Sequence, residues 1–191
     1  MSARLLNTLL DEAADDEQRE QAALALGALG DAALPRLRAL LQSDEVDHRW
    51  WAARALTAVG GAPVASLLIE TLSDADPDVR ACAAMGLGLL AAPEAVGPLI
   101  RVLVDESAYV ARIASDALSQ VGAPAIPALI EALSSASTAT RLGAARALVP
   151  LESHAAIPAL CKALDDDSAL VTHFAEEALE RMGVGIVLIK P

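Results

Sequence analysis

A single pattern returns six times along this chain, once every 30 or 31 residues. The segments QREQAALALGALG, DHRWWAARALTAVG, PDVRACAAMGLGLLA, AYVARIASDALSQVG, TATRLGAARALVPLE and ALVTHFAEEALERMG align on one register position, which holds Arg19, Arg49, Arg80, Ala111, Arg141 and Thr172. Three residues on, every copy has alanine: Ala22, Ala52, Ala83, Ala114, Ala144 and Ala175. Seven residues on, every copy has leucine: Leu26, Leu56, Leu87, Leu118, Leu148 and Leu179. A fixed period of this length marks a solenoid, because one short unit cannot bury its apolar face alone and stacks on its neighbours.

Each unit reads as two helices. The first carries apolar residues at helical spacing, as in Val79, Ala83, Leu87 and Leu90. Gly30, Gly60, Gly122 and Gly183 share the position after it, where the chain must turn left-handed. The second helix follows at once, with a stripe such as Ile126, Leu129, Ile130 and Leu133. Pro35, Pro98, Pro127 and Pro158 lie near its start, where a missing N–H costs little. The expected fold class is therefore all-α, an α-solenoid or superhelix of antiparallel helix pairs, about 70% helical or more and without strands.

The expected organisation is one array over residues 1–191: a capping segment over 1–14 with a helix at 3–13, repeats near 15–44, 45–74, 75–105, 106–136 and 137–167, and a truncated repeat over 168–191. In the capping helix Leu6, Leu9, Leu10 and Ala13 share a face. The C-terminal run Val184–Pro191 is apolar and broken by Gly183 and Gly185; it is expected to fold back over Ala175, Leu179 and Met182, which favours a monomer over a homodimer joined through this tail.

Hydrophobic residues make up 54% of the chain but aromatic ones only 2%, which suits tightly stacked helices of Ala and Leu. The apolar runs fall well short of a membrane span, and acidic residues follow directly after the first apolar stretch, so neither membrane insertion nor a signal peptide is expected and a cytoplasmic location is. The formal net charge is −12, which argues against nucleic acid, whose phosphates need clustered Lys and Arg. The acidic loops fit a protein partner with a basic patch. Cys82 and Cys161 both fall at positions apolar or small in most copies and are expected as buried, unpaired thiols.

The repeat resembles the short HEAT-like repeats named after phycobilisome lyase subunits. The likeness is carried by VRACAAMGLG followed by AVGPLIRVL and recurs over roughly residues 15–183. It implies that the register arginines Arg19, Arg49, Arg80 and Arg141 tie neighbouring repeats together through loop acids and carbonyls, with Asp74, Asp105 and Asp166 recurring six residues before the register position. Ala111 and Thr172 depart from this, so those junctions are expected to be looser. The related deoxyhypusine hydroxylases bind iron through His-Glu pairs, whereas here the dipeptides are His48-Arg49, His154-Ala155 and His173-Phe174. With no zinc spacing of cysteines and no phosphate loop, neither a catalytic residue nor a metal or other cofactor is expected.

Two surfaces are candidates for a partner. Trp50 aligns with a surface-like mixture of residues and Trp51 with a small or apolar set, so Trp50 beside Arg54 is a candidate anchor and Trp51 a core residue. On the second helices one outward position holds Ala39, Glu70, Arg101, Glu131 and Lys162. In the resembled family second helices line the concave side, so these form a row whose alternating signs either pair with each other, the favoured reading, or read a complementary surface. The function expected is a non-enzymatic protein-interaction scaffold or adaptor. The alternatives are a phycobilin lyase-type subunit and an accessory or regulatory subunit of an enzyme complex.

Overall fold

The computed structural model describes residues 2–11 and 13–184, with side chains from Arg4 onward. It is about 74% helical, with twelve α-helices and no strand among the described residues. The chain forms two compact units, Met1–Ala95 and Val96–Pro191.

The first unit contains α1 (Ser2–Leu9), α2 (Asp16–Gly27), α3 (Leu34–Leu40), α4 (Val46–Val59), α5 (Ala62–Thr71) and α6 (Pro77–Leu89). The first helices α2, α4 and α6 pack in sequence, and α3 and α5 close against the first helix that follows each. The second unit contains α7 (Val96–Val102), α8 (Ala108–Val121), α9 (Ile126–Ala132), α10 (Thr138–Leu148), α11 (Ile157–Ala163) and α12 (Ala169–Arg181). There α8, α10 and α12 pack in sequence, with α7, α9 and α11 against the next first helix. The unit boundary falls inside the third repeat, between α6 and α7.

Local chemistry starts and stops these helices. The Asp15 carboxylate accepts the Gln18 N–H at 2.8 Å while the Gln18 side chain accepts the Asp15 N–H at 3.4 Å, a reciprocal cap on α2. Asp76 caps α6 by accepting the N–H groups of Asp78 and Val79, with Pro77 at the first helical position. Gly30, Gly60, Gly122 and Gly183 have φ of 55°, 76°, 79° and 72°. The two repeats without this glycine place Ala91 (φ 47°) and Glu152 (φ 45°) at the same register position. The left-handed turn is thus kept by packing where the residue disfavours it.

The repeat pattern is the core pattern. All six register leucines, Leu26 to Leu179, are at most 1% exposed, and the register alanines from Ala52 to Ala175 are fully buried. On the second helices Leu37, Leu68, Leu99, Leu129 and Leu160 are fully buried at spacings of 30 or 31 residues. Small residues let helices touch. A Cβ on Gly27 would lie 2.6 Å from the Ala58 carbonyl oxygen, and one on Gly143 the same distance from Leu103 Cδ2.

Three expectations change. The N-terminal helix ends at Leu9, leaving Ala13 exposed and outside it. The reason is Asp11, whose side chain accepts the Ala13 N–H at 3.0 Å and competes with a further helical turn. Cys161 is exposed, not buried. On α11 the buried stripe runs through Leu160 and Ala163, which turns residue 161 outward. Of the tail Val184–Pro191, only Val184 is described, its N–H bonding to the Leu179 carbonyl at 3.0 Å; its expected cap lies outside the described residues.

Candidate interaction surfaces

The loop between repeats is built the same way each time. The side chains of Asp11, Ser43, Asp74, Asp105, Ser135 and Asp166 each accept the N–H two residues on, at 2.8–3.2 Å. In three repeats this turn puts the carbonyl of the turn residue and the one after it within reach of the register arginine. Arg49 Nη1 donates to the carbonyls of Ser43 and Asp44 at 3.0 and 3.2 Å. Arg80 Nη1 donates to those of Asp74 and Ala75 at 2.9 and 3.0 Å. Arg141 Nη1 donates to those of Ser135 and Ala136 at 3.0 and 3.3 Å. Thr172 reaches the equivalent Asp166 carbonyl with its hydroxyl at 3.4 Å.

The other edge of the guanidinium faces the acid of the next repeat. Arg49 Nε and Nη2 donate to the two oxygens of Asp74 at 2.8 and 2.9 Å. Arg141 does the same to Asp166 at 2.6 and 3.0 Å and adds Asp167 at 2.7 Å. These paired geometries are specific to the planar guanidinium. Burial would push the Asp74 carboxyl up, but the Arg49 hydrogen bond and the Asp76 N–H together hold it below the usual range. The Arg141 hydrogen bond holds Asp166 at about 2. At the first junction the acid position is Ser43; Arg19 there bonds the Asp11 carbonyl and pairs with Asp47 at 2.8 Å, its guanidinium 5.8 Å from the Trp51 ring centre.

Trp51 is buried at 5% exposure. Trp50 is half-buried and stacks edge-on against it, with ring centres 4.8 Å apart. Arg54 forms an ion pair with Glu20 across the α2–α4 packing. On the second helices Ala39, Glu70, Arg101, Glu131 and Lys162 are all exposed. Within the second unit Arg101, Glu131 and Lys162 form no ion pair with one another among the described residues, contrary to the favoured self-pairing. These side chains lie exposed to water, where pairing gains little. In the first unit a groove of about 660 Å³ runs beside Glu70, lined also by Arg38, Gln42, Asp44 and Ser73.

Three members of the turn series, Asp11, Ser43 and Ser135, were not singled out from sequence. For Ser43 and Ser135 the signal was available: they share the register of Asp74, Asp105 and Asp166, but serine hides the acid; Asp11 lies two residues further from Arg19 and falls outside that register. Among the described residues no group of three or more His, Cys, Asp or Glu is placed to hold a metal ion. No single described helix is long and apolar enough to cross a membrane. Burial pushes the Cys82 thiol up to about 12, so it is no nucleophile near neutral pH.

A sequence profile of HEAT repeats matches residues 3–74, 65–133 and 123–180. No curated protein matches the chain. Among solved structures, an archaeal HEAT-like repeats protein from Thermococcus onnurineus is similar with a TM-score of 0.64 at 16% identity, covering 95% of this chain and 80% of that one. The complex of CpcE and CpcF of phycocyanin lyase from Nostoc sp. is similar with a TM-score of 0.54 at 26% identity, covering 96% and 77%. An engineered protein is similar with a TM-score of 0.53 at 24% identity, covering 95% and 96%.

Proposed function

We propose that this chain, which belongs to the HEAT repeat family, works as a non-enzymatic scaffold or adaptor that binds a protein partner on its second-helix face. The observation that carries this is the set Arg101, Glu131 and Lys162 in the second unit, one exposed charged side chain per repeat; in the first unit Glu70 is exposed at the same register position. Side chains that recur with the repeat read an extended partner surface one rung at a time. The groove beside Glu70 gives that face relief in the first unit. A net charge of −12 favours a partner with a basic patch, approached faster at low salt than at high. Trp50 and Arg54 are the weaker candidates, since Trp50 is half-covered by its neighbour and Arg54 is held by Glu20.

The test is capture of partners from native lysate, identified by mass spectrometry, with wild type against Glu70→Lys/Glu131→Lys. Loss of a specific partner from the folded double variant supports the reading. Equal capture by both proteins contradicts it.

A second reading, a subunit of a bilin lyase, is favoured by the 26% identity to the phycocyanin lyase complex. It predicts that bilin added to the protein changes its visible absorbance and is transferred covalently to a phycobiliprotein. No absorbance change and no transfer would remove it.

A further inference from the structure

The groove beside Glu70 in the first unit holds charges that the fold does not require. It runs between α3 and α5, has a volume of about 660 Å³ and lies wholly within residues 38–75. Several of its polar groups are already committed. Arg49 and Asp74 are bonded to each other, and the Thr71 hydroxyl donates to the Leu67 carbonyl at 2.8 Å. Arg38 from α3 and Glu70 from α5 are not. Both are exposed, and their side chains form no hydrogen bond or ion pair, with each other or with any other group, among the described residues. The second unit carries the same groove between α9 and α11, smaller at about 290 Å³. There Ile130 stands in the place of Arg38, Ser134 in that of Gln42 and Lys162 in that of Glu70. Isoleucine holds the Arg38 position in three of the other four second helices, as Ile69, Ile100 and Ile130. The repeat therefore packs without an arginine here, and neither the core nor an ion pair within the chain accounts for Arg38.

We propose that this groove binds a short extended segment of a protein partner that carries one basic and one acidic side chain, the basic one set against Glu70 and the acidic one against Arg38; this rests on the protein-interaction reading above. Charge selects such a segment. A purely basic segment gains at Glu70 and is repelled at Arg38, and a purely acidic one meets the reverse. The net charge of −12 draws basic segments to the chain in general, so Arg38 is the element that makes this groove discriminate among them. Its planar fork takes a carboxylate by two parallel hydrogen bonds, which fixes the direction in which the segment lies. Asp44, exposed on the same groove, adds a second carboxylate, so the basic side chain is the more strongly drawn of the two. Gln42 and Ser73 also line the groove, are exposed and have no side-chain partner among the described residues. They offer donors and acceptors to the main-chain amides of the segment. The buried Leu41 and Leu67 give the groove an apolar lining for the methylene stem of a long side chain. The volume lies within the range of pockets that hold a ligand.

The test uses the whole chain, isotope-labelled, titrated with short blocked peptides while backbone amide shifts are followed. Each mixed peptide carries one lysine and one glutamate on a neutral background, in both orders and at several spacings; peptides with two lysines, two glutamates or two glutamines at the same places are the controls. The expected result is saturable shifts centred on Arg38, Gln42, Glu70 and Ser73 with a mixed peptide of one order. The control peptides should bind about tenfold more weakly or worse. Arg38→Glu should weaken the mixed peptide about tenfold and restore binding with the two-lysine peptide. Glu70→Lys should weaken it likewise and restore binding with the two-glutamate peptide. Both restorations are gains of binding, which a misfolded variant cannot imitate. No saturable binding of any mixed peptide, equal binding of the two-lysine peptide to the wild type, shifts scattered over the acidic surface, or failure of either restoration in a folded variant would each overturn the proposal. Partner capture separates it from the reading it rests on. If Arg38→Glu keeps every partner that Glu70→Lys/Glu131→Lys loses, the groove proposal fails and the second-helix surface stands.

Discussion

The Arg49–Asp74 junction in the first unit and the Ala111–Ser135 junction in the second use the same turn and differ in what spans it. In the first, a guanidinium bonds two carbonyls on one edge and a carboxylate on the other, with both side chains less than 15% exposed. In the second, Ser135 still makes the turn through its hydroxyl, but Ala111 offers no cation and Ser135 no anion. The turn therefore does not depend on the ion pair. It is a local device that serine or aspartate supplies equally. The pair is an addition that ties one repeat to the next.

The largest expected effect comes from breaking the tied junction. Asp74→Ala removes the turn acceptor and strands Arg49, and should cost about 2 kcal/mol in chemical denaturation. Ser135→Ala loses only the turn bond and should cost about 0.5–1 kcal/mol. Equal costs would mean that the ion pair contributes nothing to the first junction.

Acid should separate the two junctions next. Asp166 titrates at about 2 in the folded chain against an ordinary 3.8, and Asp74 is also held low. A depressed carboxyl stabilises fully above its unfolded value and loses that contribution as pH falls through its folded one. Stability should thus hold down to about pH 4 and fall between there and pH 2. Asp166→Asn should flatten that fall, whereas Ser135→Ala, which removes no titrating group, should leave its slope unchanged. Urea midpoints measured against pH check both.

A smaller contrast lies at the left-handed turns. Ala91→Gly and Glu152→Gly place glycine where φ is 47° and 45°, and each should stabilise by about 0.5–1 kcal/mol. Gly122→Ala, at φ 79°, should cost about 1 kcal/mol. Thermal melts of the three variants decide it; a loss of stability in the glycine variants would show that the side chains of Ala91 and Glu152 outweigh their backbone strain.

These contrasts mark how far the sequence could be read. The period, the helix pairs and the core were legible because alanine and leucine recur in strict register, and burial follows that register from Leu26 to Leu179. The Arg and Asp positions were legible for the same reason. The turn series was only half visible, since Ser43 and Ser135 perform with a hydroxyl what Asp74 performs with a carboxylate. The left-handed Ala91 and Glu152 were hidden, because nothing in either residue favours that conformation. The exposure of Cys161 depended on the phase of a seven-residue helix, which its apolar neighbours leave ambiguous.

The most direct measurement is a double-mutant cycle that rebuilds the missing tie, comparing Ala111→Arg, Ser135→Asp and the two combined by equilibrium unfolding. If the α8–α10 junction is a vacant copy of the Arg49–Asp74 junction, the combined variant should exceed the sum of the single ones by about 1 kcal/mol. Additive singles with no coupling would contradict it.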